Sequence, residues 1–128
     1  MTSGEHGSYG SIALKAMSKI QDGFDPVSAW EFSAREHFSP KQVDSIKKGC
    51  PKSTFLGLCE YGKVKGVDPS AYTRSKINKQ HAKDAYDLLK LKPHLDKNAL
   101  WLLVAGNKTH NHQMDVLFAL YESGALCE

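Results

Sequence analysis

Helix-stopping and helix-starting residues recur so often along this chain that no helix can run far. Gly23, Asp25-Pro26, Ser39-Pro40, Gly49 with Cys50-Pro51, Gly62, Asp68-Pro69, Pro93 and Gly106 divide the 128 residues into short segments. Glycine supplies the left-handed turn that ends a helix, and proline suits only its first turn. Between these marks the apolar residues repeat with helical spacing, not in alternation. Tyr9, Ile12, Ala13, Ala16, Met17 and Ile20 fall on one helical face. The expectation is an all-α fold: a compact bundle of six to seven short helices.

The first helix is expected from Ser8, its cap, to Gly23. Asp25 caps a second, with Val27, Trp30, Ala34 and Phe38 as its apolar stripe. A third starts at Ser39-Pro40, where Gln42 completes a capping box, with Val43 and Ile46 buried and Gly49 as its end. Cys50-Pro51 opens a fourth that closes at Gly62. Gly57 inside it costs about 1 kcal/mol relative to alanine, which a close helix crossing would justify. The link from Lys63 to Tyr72 is irregular, and Val64 and Val67 anchor it on the core as an isolated bridge. Thr73 or Ser75 starts a fifth helix running to about Leu91. Asp96 caps a sixth over 97–105, apolar nearly all round and therefore expected at the centre of the bundle. Asn111 caps the last. Residues 1–7 read as a flexible tail and 8–128 as a single helical domain.

A chain of this length buries enough surface to fold without disulfide or metal. Three cysteines at irregular spacing make no disulfide framework. The longest apolar run, Ala99 to Ala105, is too short to span a bilayer, which takes about 20 residues. The polar N-terminus lacks a signal-peptide pattern. A cytoplasmic protein without a cofactor or a membrane partner is the expectation.

The net charge of +3 hides an asymmetry. Residues 47–83 carry nine basic side chains and two acidic ones, between flanks that are each mildly acidic. Lys47, Lys48, Lys52, Lys63, Lys65, Arg74, Lys76 and Lys79 are the candidate contacts for nucleic acid or an acidic protein. The outline from Pro40 to Leu58 also suggests a helix-turn-helix, with Lys52, Ser53 and Thr54 opening the reading helix. Against it, Asp44 and Lys48 occupy positions that a tight helix-turn-helix fills with apolar side chains.

Two further clusters carry possible chemistry. Cys50 precedes a helix start between Lys48 and Lys52, a setting that favours thiolate, and a histidine brought in by the fold would make it a nucleophile. The bland alternative is a small buried side chain. His110, His112 and Asp115 form a His-x-His-plus-carboxylate pattern that could ligate a metal, although a capping loop explains the segment more cheaply. His37 and His81 read as surface or satisfied core residues.

The run Cys50-Pro51-Lys52-x-x-Phe55-Leu56-Gly57-Leu58-Cys59-Glu60-x-Gly62-x-Val64-Lys65-Gly66-Val67, followed by Tyr72-Thr73 and Asn78-Lys79, resembles the signature of a small uncharacterised bacterial protein family, a domain of unknown function. The resemblance implies a stand-alone bacterial domain and brings no catalytic residues with it. The leading expectation is thus a non-enzymatic binding module using residues 47–83. A small cysteine-dependent enzyme using Cys50, and a homodimer whose apolar helix faces are completed by a second copy, are the alternatives.

Overall fold

The computed structural model describes residues 6–106, 108 and 112–127. Among them are seven helical segments: α1 (Gly7–Gln21), α2 (Pro26–His37), α3 (Val43–Ile46), α4 (Gly49–Glu60), α5 (Lys76–Leu91), α6 (Lys97–Ala105) and α7 (Gln113–Glu122). The described residues form no strand; Val64 and Leu126 make one isolated antiparallel bridge. The bundle is all-α, as the periodicity predicts.

Several starts follow the local chemistry. The Asp25 carboxylate accepts the Ser28 N–H (3.1 Å) at the head of α2, and Asp96 accepts the Ala99 N–H (2.7 Å) at the head of α6. The predicted bounds of α6 match the observed ones. Other starts differ. α1 begins at Gly7 without a side-chain cap, so Ser8 does not cap it. His6, read as tail, is buried and its Nε2 lies 2.7 Å from Glu122 Oε1. Ser75, not Thr73, precedes α5. The predicted Asn111 cap lies outside the described residues; His112 stands at the N-cap position of α7.

The third helix is much shorter than expected. The Gln42 side chain does fold back onto the Ser39 N–H (2.9 Å), but this closes a turn at 39–42 and postpones the helix to Val43. A single turn then fits before α4. It buries no residue: Val43 is 47% exposed and Ile46 only partly covered. Gly49, expected as a stop, is the first residue of α4, which places Pro51 in the first turn where its missing N–H costs nothing.

The centre of the bundle is also not where hydropathy alone places it. α7 packs against α1, α4, α5 and α6, and buries Gln113, Met114 and every residue from Val116 to Leu120. α6 packs mainly on α5 and α7, burying only Leu100 and Trp101. Leu102 and Leu103 are each 60% exposed. α6 has apolar residues on every side but neighbours on only one. Around α7 the core holds Ile12 and Ala16 of α1, Trp30 of α2, Phe55 and Leu58 of α4, and Ala85 and Leu89 of α5.

α4 and α5 cross at Gly57. A Cβ there would stand 2.7 Å from Lys79 Cβ and 2.8 Å from its Cα, so only glycine permits the contact. The segment between the two helices is held by Glu60. Its Oε1 accepts the backbone N–H of Tyr72 (2.9 Å) and of Thr73 (3.2 Å), while Oε2 takes the Lys79 ammonium. Burial alone would raise the Glu60 carboxyl. The Lys79 ammonium and the two N–H groups outweigh it and hold the carboxyl below its usual range. At the other end, the Lys65 N–H donates to Ala125 O (2.9 Å) and the Cys127 N–H to Lys63 O (2.7 Å), tying the post-α4 turn to the C-terminal segment.

Candidate functional site

The N-terminus of α4 meets the first half of α5 and the start of α7 around a cavity of about 280 Å³. Cys50, Ser75, Ile77, Asn78, His81, Trp101, Lys108 and Gln113 line it. Each arrives for a local reason. Cys50 is the second residue of α4, whose first turn has neither a capping side chain nor an acidic residue. Asn78 and His81 are three apart on α5 and so share a helical face. Gln113 opens α7 and is 3% exposed, a buried amide whose Nε2 donates to Asn78 Oδ1 (3.4 Å). Asn78 Nδ2 donates in turn to Ser75 Oγ (3.0 Å).

His81 is the member that sequence reasoning missed. Its ring meets Trp101 edge-on, centroids 5.4 Å apart. Its Nδ1 is shut off from solvent and has no hydrogen-bond partner among the described residues, so the half-buried His81 is neither the surface histidine nor the satisfied core histidine that were the two expectations. Burial first, and then the Lys108 ammonium, push the imidazole below its ordinary range, which keeps it neutral at pH 7. The one available signal was its spacing of three residues from Asn78.

Cys50 is half-buried and free. The other two cysteines differ from it. Cys59 is fully buried, and that burial pushes its thiol up to about 12. The Cys127 Sγ lies 3.5 Å from Gly62 O, beside a separate cavity.

The central basic residues do not gather around one groove. Lys52 pairs with Glu31 (2.9 Å), Lys79 with Glu60 and Lys83 with Asp87 (3.1 Å). Lys63 sits over the Tyr86 ring, 5.1 Å from its centroid. Lys47, Lys48, Lys65 and Lys76 line four different depressions, and Arg74 is exposed on the link before α5. The helix-turn-helix outline does not survive. α3 is a single turn, and Ser53 and Thr54 are buried in the bundle, where neither can reach a groove of DNA.

Of the suggested metal ligands, His110 lies outside the described residues. His112 Nδ1 is 3.0 Å from Asp115 Oδ2, and Lys97 donates to Asp115 Oδ1 (2.8 Å). Asp115 is raised by burial but lowered more by these two partners, and its net position is below the usual carboxylate range. His112 has a left-handed backbone (φ 69°) and its ring packs 4.9 Å from that of Tyr9. The pair thus binds the start of α7 to α1 and α6. The described residues contain no group of three or more metal-ligating side chains. No helix among them is long and apolar enough to cross a membrane.

Comparison with known proteins adds a family but no chemistry. No curated protein and no solved structure matches the chain. One family of unknown function, DUF6979, matches residues 6–127, which include the whole α4–α5 unit and the cavity beside it. Covered over nearly its full length, the chain belongs to that family.

Proposed function

We propose that the chain is a small thiol-dependent enzyme whose nucleophile is Cys50 and whose general base is His81. The observation that carries this reading is that a thiol and an imidazole 31 positions apart in sequence line one cavity, where burial keeps the imidazole neutral. A neutral imidazole takes the thiol proton, and the sulfur then attacks an electrophilic carbon. On a carbonyl or acyl group, the S–C bond forms as the carbonyl π bond opens. The proton held on His81 returns to the oxygen or leaving group that takes up the electron pair. Asn78 and Gln113, hydrogen-bonded to each other, make the polar part of the cavity wall, and Lys108 adds its ammonium charge. About 280 Å³ is below the usual range of ligand pockets, so the reactant is a small molecule, and Lys108 favours one with a carboxylate or similar anionic group.

Alkylation of the folded protein by iodoacetamide, read residue by residue by mass spectrometry, tests the reading. Cys50 should react faster than Cys127. The His81→Gln variant should slow Cys50 by about tenfold or more at neutral pH, the size expected for a lost proton acceptor. An unchanged Cys50 rate in His81→Gln, or a Cys50 that reacts only after denaturation, would refute it.

A further inference from the structure

Away from the thiol cavity, the end of α2 and the single turn of α3 enclose a groove of about 420 Å³ lined by Arg35, Pro40, Val43, Ile46 and Lys47. Its floor is apolar and both of its charges are positive. The helical spacing of α3 explains the division. Residues 43, 46 and 47 share one side and line the groove, whereas Asp44, Ser45 and Lys48 share the other and line the His112 cavity. The only carboxylate of α3 is thereby turned away. Glu36, next to Arg35 in sequence, is taken by Lys19 (2.8 Å). Neither Arg35 nor Lys47 has a carboxylate partner among the described residues.

Exposed aromatic side chains lie beside Arg35. The Arg35 guanidinium lies 5.6 Å from the centroid of the Phe32 ring, and Phe32 packs edge-on against Phe24 at 5.5 Å. Phe32 is 46% exposed and Val43 47%. Large exposed apolar side chains accompanied by unpaired cations are the pattern of a binding surface.

We infer that this groove docks a segment of another protein that presents an apolar side chain flanked by carboxylates. The apolar side chain fills the space over Pro40, Val43 and Ile46, and the carboxylates meet Arg35 and Lys47. Charge complementarity selects this occupant: both rim positions attract acidic residues, and a second copy of the groove would bring like charges together.

The test is selection of a fully randomised phage-displayed peptide library against the immobilised folded chain, run in parallel on Val43→Asp and on the Arg35→Glu/Lys47→Glu double variant. All three positions are exposed or rim residues, and circular dichroism and protection of Cys59 from alkylation confirm that each variant folds. The expected result is enrichment of sequences combining apolar residues with Asp or Glu, with synthetic copies binding each variant at least about tenfold more weakly than the parent. Enriched peptides without acidic bias, or peptides that bind the variants equally well, would overturn the inference. So would a concentration-dependent dimer that Val43→Asp dissolves, which would make a second copy the occupant. A random-sequence oligonucleotide held at this groove, and lost in the double variant, would likewise replace the protein partner with nucleic acid.

Discussion

Replacing Gly57 with alanine puts the crossing of α4 and α5 to a quantitative test. In an open helix the change stabilises by about 1 kcal/mol, because alanine has less backbone freedom to lose. Here the new methyl would lie 2.7 Å from Lys79 Cβ and 2.8 Å from Lys79 Cα, well inside the 3.4 Å at which ordinary van der Waals contact begins. The obstacle is a neighbouring backbone and its Cβ, not the far end of a flexible side chain, so the helices themselves must part by several tenths of an ångström. Overpacking of this kind costs about 1–3 kcal/mol, and the parting also stretches the Glu60–Lys79 pair that spans the same two helices. We expect the sign to invert, with Gly57→Ala destabilising by about 1–3 kcal/mol. For a chain of this size each kcal/mol is about 3–5 °C in Tm. Urea unfolding followed by circular dichroism gives the difference directly. Gly49→Ala is the control: it lies at the head of the same helix with nothing within 4 Å, and should be neutral or slightly stabilising. If Gly57→Ala is as stable as the parent or more so, the close crossing is wrong.

Three other outcomes follow from the same geometry. Asp25→Ala and Asp96→Ala should each lose about 1 kcal/mol in urea unfolding, whereas Ser8→Ala, which removes no capping bond, should stay within about 0.5 kcal/mol of the parent. Glu60→Gln should lose about 1–2 kcal/mol at pH 7. Because the Glu60 carboxyl is held below its unfolded value, its contribution is complete above the ordinary carboxylate range and disappears as pH falls through the lowered value. The gap between parent and variant should therefore shrink in acid, and a gap that stays constant down to about pH 3 would contradict the assignment. Cys59 should escape alkylation at pH 8 in the folded chain and react once it is unfolded; labelling of native Cys59 at the rate of Cys127 would show that it is not enclosed.

What was legible in the sequence is what one helix decides alone. The Asp25 and Asp96 caps, the bounds of α6, the stripe of α1 and the crossing at Gly57 each depend on residues within a few positions or on one conspicuous glycine. The position of α6 was not legible. Leu102 and Leu103 say that burial would be favourable, but only the arrangement of neighbours decides whether a surface is available, and α7 occupies that place with Asp115 as its only charged residue before Glu122. α3 failed for a related reason: the Ser39–Gln42 bond was correctly read, yet the same bond serves a helix start or a closed turn. The thiol site was half legible. Cys50 was marked by its position before a helix, but His81 becomes relevant only when α5 folds back across α4. Charge density located the cations but not their partners. A run of lysines records how many cations the segment holds, whereas Glu31, Glu60 and Asp87 decide which of them remain unpaired.

Residues of the stretch from Cys50 to Lys79 divide into three kinds once they are placed, and the division explains why the stretch is so dense. Gly57, Glu60, Tyr72, Thr73 and Lys79 are spent on one crossing: the glycine lets α5 approach, and the glutamate fixes the link and the lysine on the far side. Phe55, Leu58 and Val64 anchor the unit in the core. Cys50 and Asn78 are left facing the cavity. Cys50 stands about two turns before Gly57 on α4, and His81 half a turn after Lys79 on α5, so the crossing sets where these two residues lie along the cavity wall. A staple this elaborate is more than two helices need in order to stay packed, since burial of Phe55, Leu56, Ala82 and Ala85 already favours their contact. Its physical effect is to fix the orientation of α5 against α4, a precision that the proposed thiol–imidazole chemistry would use.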